Sequence, residues 1–254
     1  MKARAGLHFS LSIIASLLVS ANAFCAGNVK QYQVLAGEAK RNMSVYLPEG
    51  YGESGASYPV LYLLHGLTGD DRTFFGVGYA ASGGMSDANV SVIVDRLVQE
   101  GKVRPLIVAC PALGLDEDVL RYFVPFVDAT LRTIPKRESR AIAGHSAGGY
   151  DALFIALAHP EAFSIAGGFS VWAPSETTAS ELIKTHDLKS NPVLFWLYAG
   201  TQDYGATQPN RHFVKFLREN GLDTTYTEDD GDHDNKVGLR LIDFIEYLSG
   251  RLKW

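Results

Sequence analysis

The sequence predicts an α/β fold: a mostly parallel β-sheet with helices on both faces, opened by an antiparallel hairpin. Three observations carry this reading. Short apolar β-prone runs alternate with helical patterns along the chain, an order that requires crossover connections and hence parallel strands. The runs at 59–64 and 193–199 are continuously apolar, as strands buried on both faces must be. By contrast, 31–35 and 42–47 alternate in character around Gly37, the pattern of a hairpin with one wet face.

The elements follow in order. After the hairpin, a polar Gly-containing loop over 48–57 leads to the strand at 59–64, closed by His65-Gly66-Leu67. Residues 68–89 hold five glycines among acids and aromatics and read as an irregular excursion over the site. Val90, Ile93, Val94, Leu97 and Val98 share one face of a helix over 90–100, ended by Gly101. The strand at 105–110 stops at Pro111, and a helix over 119–134 starts irregularly because Pro125 lies inside it and stops at Pro135. An apolar run from 139 then reaches Gly144-His145-Ser146-Ala147-Gly148, with a helix over 150–158 behind it. Strand 163–169, a helix over 175–185 with Ser175 as cap, strand 193–199, a helix over 210–219, strand 224–227 and a helix over 238–248 complete the chain. At 254 residues this suits one domain, about 28–254, with a sizeable core. No segment between core elements exceeds roughly 25 residues, so no large cap domain is expected.

The first 23 residues read differently. Lys2 and Arg4 precede the apolar stretch 11–19 and then Ala21-Asn22-Ala23, the pattern of a secretory signal peptide cleaved after Ala23. Its apolar core is too short for a stable membrane anchor. Phe24 before Cys25 counts against a lipoprotein. The expected location is the periplasm or the extracellular space. Without Lys2 and Arg4, the count of 23 basic residues falls to 21 against 28 acidic, a net charge of −7. Such a surface gives no invitation to nucleic acid. An exported chain can oxidise Cys25 and Cys110, yet Cys110 ends an apolar strand and reads more simply as a buried small hydrophobe.

The chemistry centres on residues 144–148. G-x-S-x-G between a strand and a helix forces the serine into strained backbone angles, and small residues two positions either side let strand and helix approach. Such a turn lifts the Ser146 hydroxyl out of the sheet and aims the Ala147 amide at a carbonyl under attack. A serine hydroxyl needs a neutral imidazole to take its proton and a carboxylate to orient that imidazole. Of six histidines beyond residue 23, His145 belongs to the turn itself and His65 ends the strand that shapes the oxyanion site. His159, His186 and His212 fall at helix ends or faces. His233, in the loop after the last strand, is the candidate base. Asp203, just beyond the most apolar strand, is the candidate acid, with Asp232 and Asp234 as rivals too close in sequence to grip the ring well. The order Ser…Asp…His is that of α/β hydrolases. Leu67 is expected to supply the second oxyanion amide, Gly66 allowing close approach. The acidic run 229–235 fails the calcium-loop test, since Asn235 and Leu241 stand where a glycine and a bidentate glutamate are required, so no metal is expected.

Taken together, Tyr62-Leu63-Leu64-His65-Gly66, Ala88-Asn89-Val90 with Asp95, Gly101-Lys102, Pro105-Leu106-Ile107-Val108, Gly144-His145-Ser146-Ala147-Gly148-Gly149, Gly200-Thr201-Gln202-Asp203 and Gly231-Asp232-His233-Asp234 resemble the putative esterase family. That esterase D-related group of α/β hydrolases includes feruloyl and acetyl xylan esterases, enterochelin esterase-like proteins and S-formylglutathione hydrolases. The resemblance spans about 35–250 and implies Ser146 as nucleophile, Asp203 as acid, His233 as base, and Leu67 with Ala147 as oxyanion donors. The family often has Met where this chain has Ala147, and a Trp after the base where it has Asn235-Lys236-Val237. Both departures concern pocket shape. The expected function is cofactor-free hydrolysis of short-chain or aryl acyl esters, of small molecules or carbohydrates. The alternatives are an acyltransferase using the same three residues and a non-catalytic binding module. Export counts against S-formylglutathione, a cytosolic substrate in the family. Aromatic groups at Phe74, Phe75, Tyr79 and Trp172 are placed to line an acyl pocket or simply to pack the loops.

Overall fold

In the computed structural model the described residues are 26–77, 85–112 and 118–254. Residues 1–23, Cys25 and Tyr79 lie outside them. Eight strands form one sheet in the order β1-β2-β4-β3-β5-β6-β7-β8. They are β1 (Asn28–Ala36), β2 (Ala39–Leu47), β3 (Val60–Leu64), β4 (Ile107–Pro111), β5 (Arg140–His145), β6 (Ile165–Phe169), β7 (Leu194–Gly200) and β8 (Thr224–Asp229). β1 and β2 form the expected hairpin, and β2 runs antiparallel to β4. From β4 to β8 every pairing is parallel.

Among the described residues six helices cover the sheet: α1 (Val90–Gln99), α2 (Val124–Thr130), α3 (Ala147–Ala158), α4 (Glu176–Thr185), α5 (Tyr204–Glu219) and α6 (Val237–Ser249). α1 and α6 bury Ile93, Val94, Leu97, Phe244, Ile245 and Leu248 on one face. On the other, α2 to α5 bury Val127, Leu153, Ala179, Phe213 and Leu217. Phe169, Trp196 and Phe244 meet with centroids 5.4–5.6 Å apart. Such aromatic contacts add about 0.5–1.5 kcal/mol each beyond area burial. The trio lies where it matters, because Phe169 pairs with His145 in the sheet and its carbonyl accepts the Ser146 amide at 2.9 Å.

Two elements differ from the sequence reading. α2 ends at Thr130 because the chain beyond it is taken by Tyr58, whose amide donates to Arg132 O and whose carbonyl accepts from Ile134 N, both at 2.9 Å. Its irregular start is a π turn at Val119–Phe123. α5 begins at Tyr204 rather than Asn210, since the Asp203 carboxylate caps it by accepting the Ala206 amide, and Pro209 is accommodated inside. Cys110 is buried and free, and burial pushes its thiol up. No helix among the described residues is long and apolar enough to cross a membrane.

Candidate active site

The turn between β5 and α3 places Ser146 at φ 54°, ψ −119°, the left-handed half of backbone space that a non-glycine residue enters only under constraint. The constraint is close approach. A Cβ on Gly144 would lie 2.3 Å from the Gly148 backbone, and one on Gly148 would lie 2.4 Å from the His65 carbonyl oxygen. Only glycine at both positions lets β3, β5 and the first turn of α3 converge. Ala147 is the first residue of α3, where an amide has no intrahelical acceptor.

Three strand ends deliver three side chains to one line. Asp203 Oδ2 lies 2.7 Å from His233 Nδ1, and His233 Nε2 lies 3.0 Å from Ser146 Oγ. A carboxylate only accepts, so Nδ1 carries the proton and Nε2 presents its lone pair to the serine hydroxyl. Asp203 is buried, while the His233 side chain is 40% exposed, so one end of the line is fixed in the protein and the other faces the cleft. The loops that carry Asp203 and His233 are stitched together by the Gln202 amide donating to Gly231 O at 2.9 Å and the Gln202 side chain donating to Asp230 O at 2.8 Å. Asp229, at the end of β8, accepts from the Tyr198 hydroxyl and the Gly231 amide.

The rival acids do other work. Asp232 accepts the amides of Asn235 and Asp234, bonds that lower its pKa and fold the loop carrying His233 into a turn. Asp234 lies 3.5 Å from His145 Nε2. His145, His233 and Asp234 place ligand atoms within 4.8 Å of one another. Both ring nitrogens of His233 are already committed to Ser146 and Asp203, so a cation there would break the line. His159 sits beside Glu161 at 3.3 Å, His212 is exposed, and neither they nor His186 line the cleft described next.

Ser146 opens into a cleft of about 580 Å³ lined by Leu67, Ala147, Tyr150, Asp151, Trp172 and Gly205 together with Asp203 and His233. A second cavity of about 190 Å³ lies on the other side of Ser146 and His233, against Gly66, Thr68, Met85 and His145. The loop carrying Leu67 is tied down at Asp71, buried and accepting from the Ser44 hydroxyl at 2.7 Å, and by His65, whose Nδ1 donates to Gly66 O at 2.7 Å. Leu67 and Trp172 are exposed at 87% and 68%, which leaves apolar surface at the mouth for a ligand. Trp172 stands on a turn where Ser170 has φ 49° and Asn210 donates to Val171 O at 2.8 Å.

Phe74 does not join this pocket. It is fully buried in the turn Thr73–Phe75, packed in the core cluster with Met85, Ala88 and Val90, because the excursion folds back onto the start of α1, where Asn89 donates to Phe75 O. Tyr150 and Asp151, which sequence reasoning passed over as ordinary residues of a helix, occupy the cleft wall instead. Their offset of four and five from Ser146 is the available signal, since it places them on the first turn of α3 beside the serine.

The strand order, the strained serine turn and the carboxylate–imidazole–hydroxyl line define the class: an α/β hydrolase. The chain belongs to the putative esterase family, whose model matches residues 36–235. An endo-1,4-β-xylanase/feruloyl esterase of Xylanibacter ruminicola is 30% identical over 164 residues, 56% of this chain and 21% of that protein. The chain spans 21%, 28% and 13% of the lengths of curated relatives it matches. Among solved structures, a ferulic acid esterase superposes with a TM-score of 0.75 at 22% identity, over 89% of this chain and 99% of that one. A feruloyl esterase module from Clostridium thermocellum, complexed with sinapinate, gives 0.75 at 18% identity over 90% of each chain. At these identities the structural likeness speaks to fold.

Proposed function

We propose that the protein hydrolyses carboxylic esters through an acyl-enzyme on Ser146. The observation that carries this reading is the unbroken line from Asp203 to His233 to Ser146, at 2.7 and 3.0 Å. His233 takes the hydroxyl proton as Ser146 Oγ attacks the ester carbonyl, and the imidazolium is stabilised by Asp203. The amides of Leu67 and Ala147 receive the oxyanion. Collapse returns the proton to the leaving alcohol, and water repeats the sequence to release the acid. The reaction uses no metal or organic cofactor. A closed relay beside an open cleft argues against a purely binding role. Acyl transfer is the nearest alternative, separated by letting alcohols or sugars compete with water for the acyl group.

The substrate class we propose is short-chain or aryl acyl esters, carbohydrate esters included. The apolar wall made by Tyr150 and Trp172 supports this, as do the relatives named feruloyl esterases. A panel of acetyl, butyryl, palmitoyl and feruloyl esters tests it, with Trp172→Ala alongside wild type. Losing one aromatic wall of about 1.5–3 kcal/mol is expected to lower kcat/KM for the feruloyl ester by about 10–100-fold and to leave the acetyl ester nearly unchanged. Palmitoyl turned over fastest, or an unaltered profile in the variant, overturns the assignment.

We further propose that residues 28–254 form one catalytic domain exported behind a cleaved leader at 1–23. Terminal sequencing of protein from the native host is expected to begin after Ala23, and finding Met1 contradicts export.

A further inference from the structure

His145, the residue between Gly144 and the nucleophile, is 3% exposed, and the relay proposed above does not use it. Two contacts define its place. Its Nε2 lies 2.9 Å from the main-chain carbonyl oxygen of His233. Its Nδ1 lies over the oxyanion loop, so near that a Cβ added to Gly66 would sit 3.2 Å from it and 3.3 Å from Ser146 Cβ. The imidazole therefore fills the space between the loop that carries Leu67 and the loop that carries His233, directly behind the nucleophile. Its ring centroid is 4.9 Å from that of His233.

A carbonyl oxygen only accepts, so Nε2 of His145 carries a proton and donates it. Burial, with His233 adding to it, pushes His145 down to about 4, against the opposing pull of the His233 carbonyl, Asp234 and Asp203. The ring is thus neutral, with a bare Nδ1 facing Gly66. Neutrality matters because His233 becomes a cation in the proposed cycle, and a charged neighbour at this ring separation would oppose it. Among the described contacts, this is the one that joins the serine turn to the backbone of the base itself; the Gln202 stitches reach only Asp230 and Gly231.

We infer that His145 is a positioning residue for the proposed reaction: by donating Nε2–H to His233 O it holds the base loop where His233 Nε2 meets Ser146 Oγ. The inference rests on the Ser146–His233–Asp203 reading. Without the donor, the carbonyl is left facing an apolar neighbour, and the loop shifts to find another partner. A displacement of about 1 Å between base and nucleophile costs on the order of 10²-fold in rate while leaving ester binding in the cleft largely intact.

The test compares His145→Leu, His145→Gln and Ser146→Ala with wild type on a short-chain nitrophenyl ester. His145→Leu keeps the volume and removes the donor; kcat is expected to fall by about 10–100-fold with KM within about threefold. His145→Gln puts an amide donor close to the Nε2 position, and kcat is expected to stay within about fivefold of wild type. Should His145→Leu fail to fold, His145→Asn, polar but too short to reach the carbonyl, is expected to show the same loss of kcat. Retention of kcat in the Leu or Asn variant, or a Gln variant as impaired as they are, overturns the positioning role. Turnover surviving in Ser146→Ala instead overturns the reading beneath it, so the two failures are distinct.

Discussion

Ser146→Ala is expected to lower ester turnover by about 10⁴-fold or more and to abolish labelling by a fluorophosphonate probe. The size follows from chemistry. Among the described residues His233 Nε2 meets the Ser146 hydroxyl, at 3.0 Å, so under the proposed mechanism the variant loses the covalent route and keeps only the general effects of cleft and oxyanion amides. The fold should not suffer. Ser146 already holds φ 54° under the pressure of Gly144 and Gly148, and alanine meets the same backbone cost as serine there. The thermal midpoint is therefore expected to stay within about 2 °C. A variant that keeps more than about a hundredth of wild-type kcat removes Ser146 from the nucleophile's role.

The second large effect is expected at Asp203, which serves two masters. One carboxylate oxygen accepts from His233 Nδ1 and the other caps α5 through the Ala206 amide. Asp203→Asn separates these duties, because asparagine caps a helix as well as aspartate does but carries no charge. The imidazolium of the proposed cycle then lacks its counter-charge, and the tautomer with a free Nε2 lone pair is no longer enforced. A fall in kcat of about 10³–10⁴-fold is expected, with little change in thermal stability. Asp203→Ala should lose both activity and about 1 kcal/mol of stability, the worth of the cap. Should Asp203→Asn retain kcat within tenfold, Asp232 or Asp234 would have to be the orienting acid. The geometry opposes that, since Asp232 is occupied by the amides of Asp234 and Asn235.

Much of this arrangement is legible in the sequence, because the signals are local. The serine turn is written in Gly144, Ser146 and Gly148, and the continuously apolar runs at β3 and β7 announce strands covered on both sides. Asp203 and His233 were found by position, as the first acid and the histidine beyond two late strands. What escaped was non-local. The start of α5 was hidden by Gly205 and Pro209, residues that read as breakers until the Asp203 cap is seen to organise the turn. Phe74 reads equally as a pocket residue or a packing residue because its loop does; only the backward fold onto α1 places it inside the core. His145 read as mere backbone of the turn, since nothing in the sequence reveals that its ring reaches a carbonyl 88 residues away.

The departures from the family pattern take on meaning in this frame. Asn235 accepts the Asp232 amide at 2.9 Å and so helps close the His233 loop as a tight polar turn. Lys236 follows in the left-handed region at φ 66° and pairs with Asp230 at the entrance to α6. The base loop is thus braced from β8, from α6 and from the serine turn, and the aromatic wall of the cleft comes from Trp172 on the β6 side.

The most direct measurement of the central claim is peptide mapping by mass spectrometry after brief treatment of the wild-type protein with a fluorophosphonate probe at neutral pH. The account predicts a single stoichiometric adduct on the peptide containing Ser146, with turnover lost in step with its formation and no adduct in His233→Ala. An adduct on any other residue, or full inactivation with Ser146 unmodified, would contradict it.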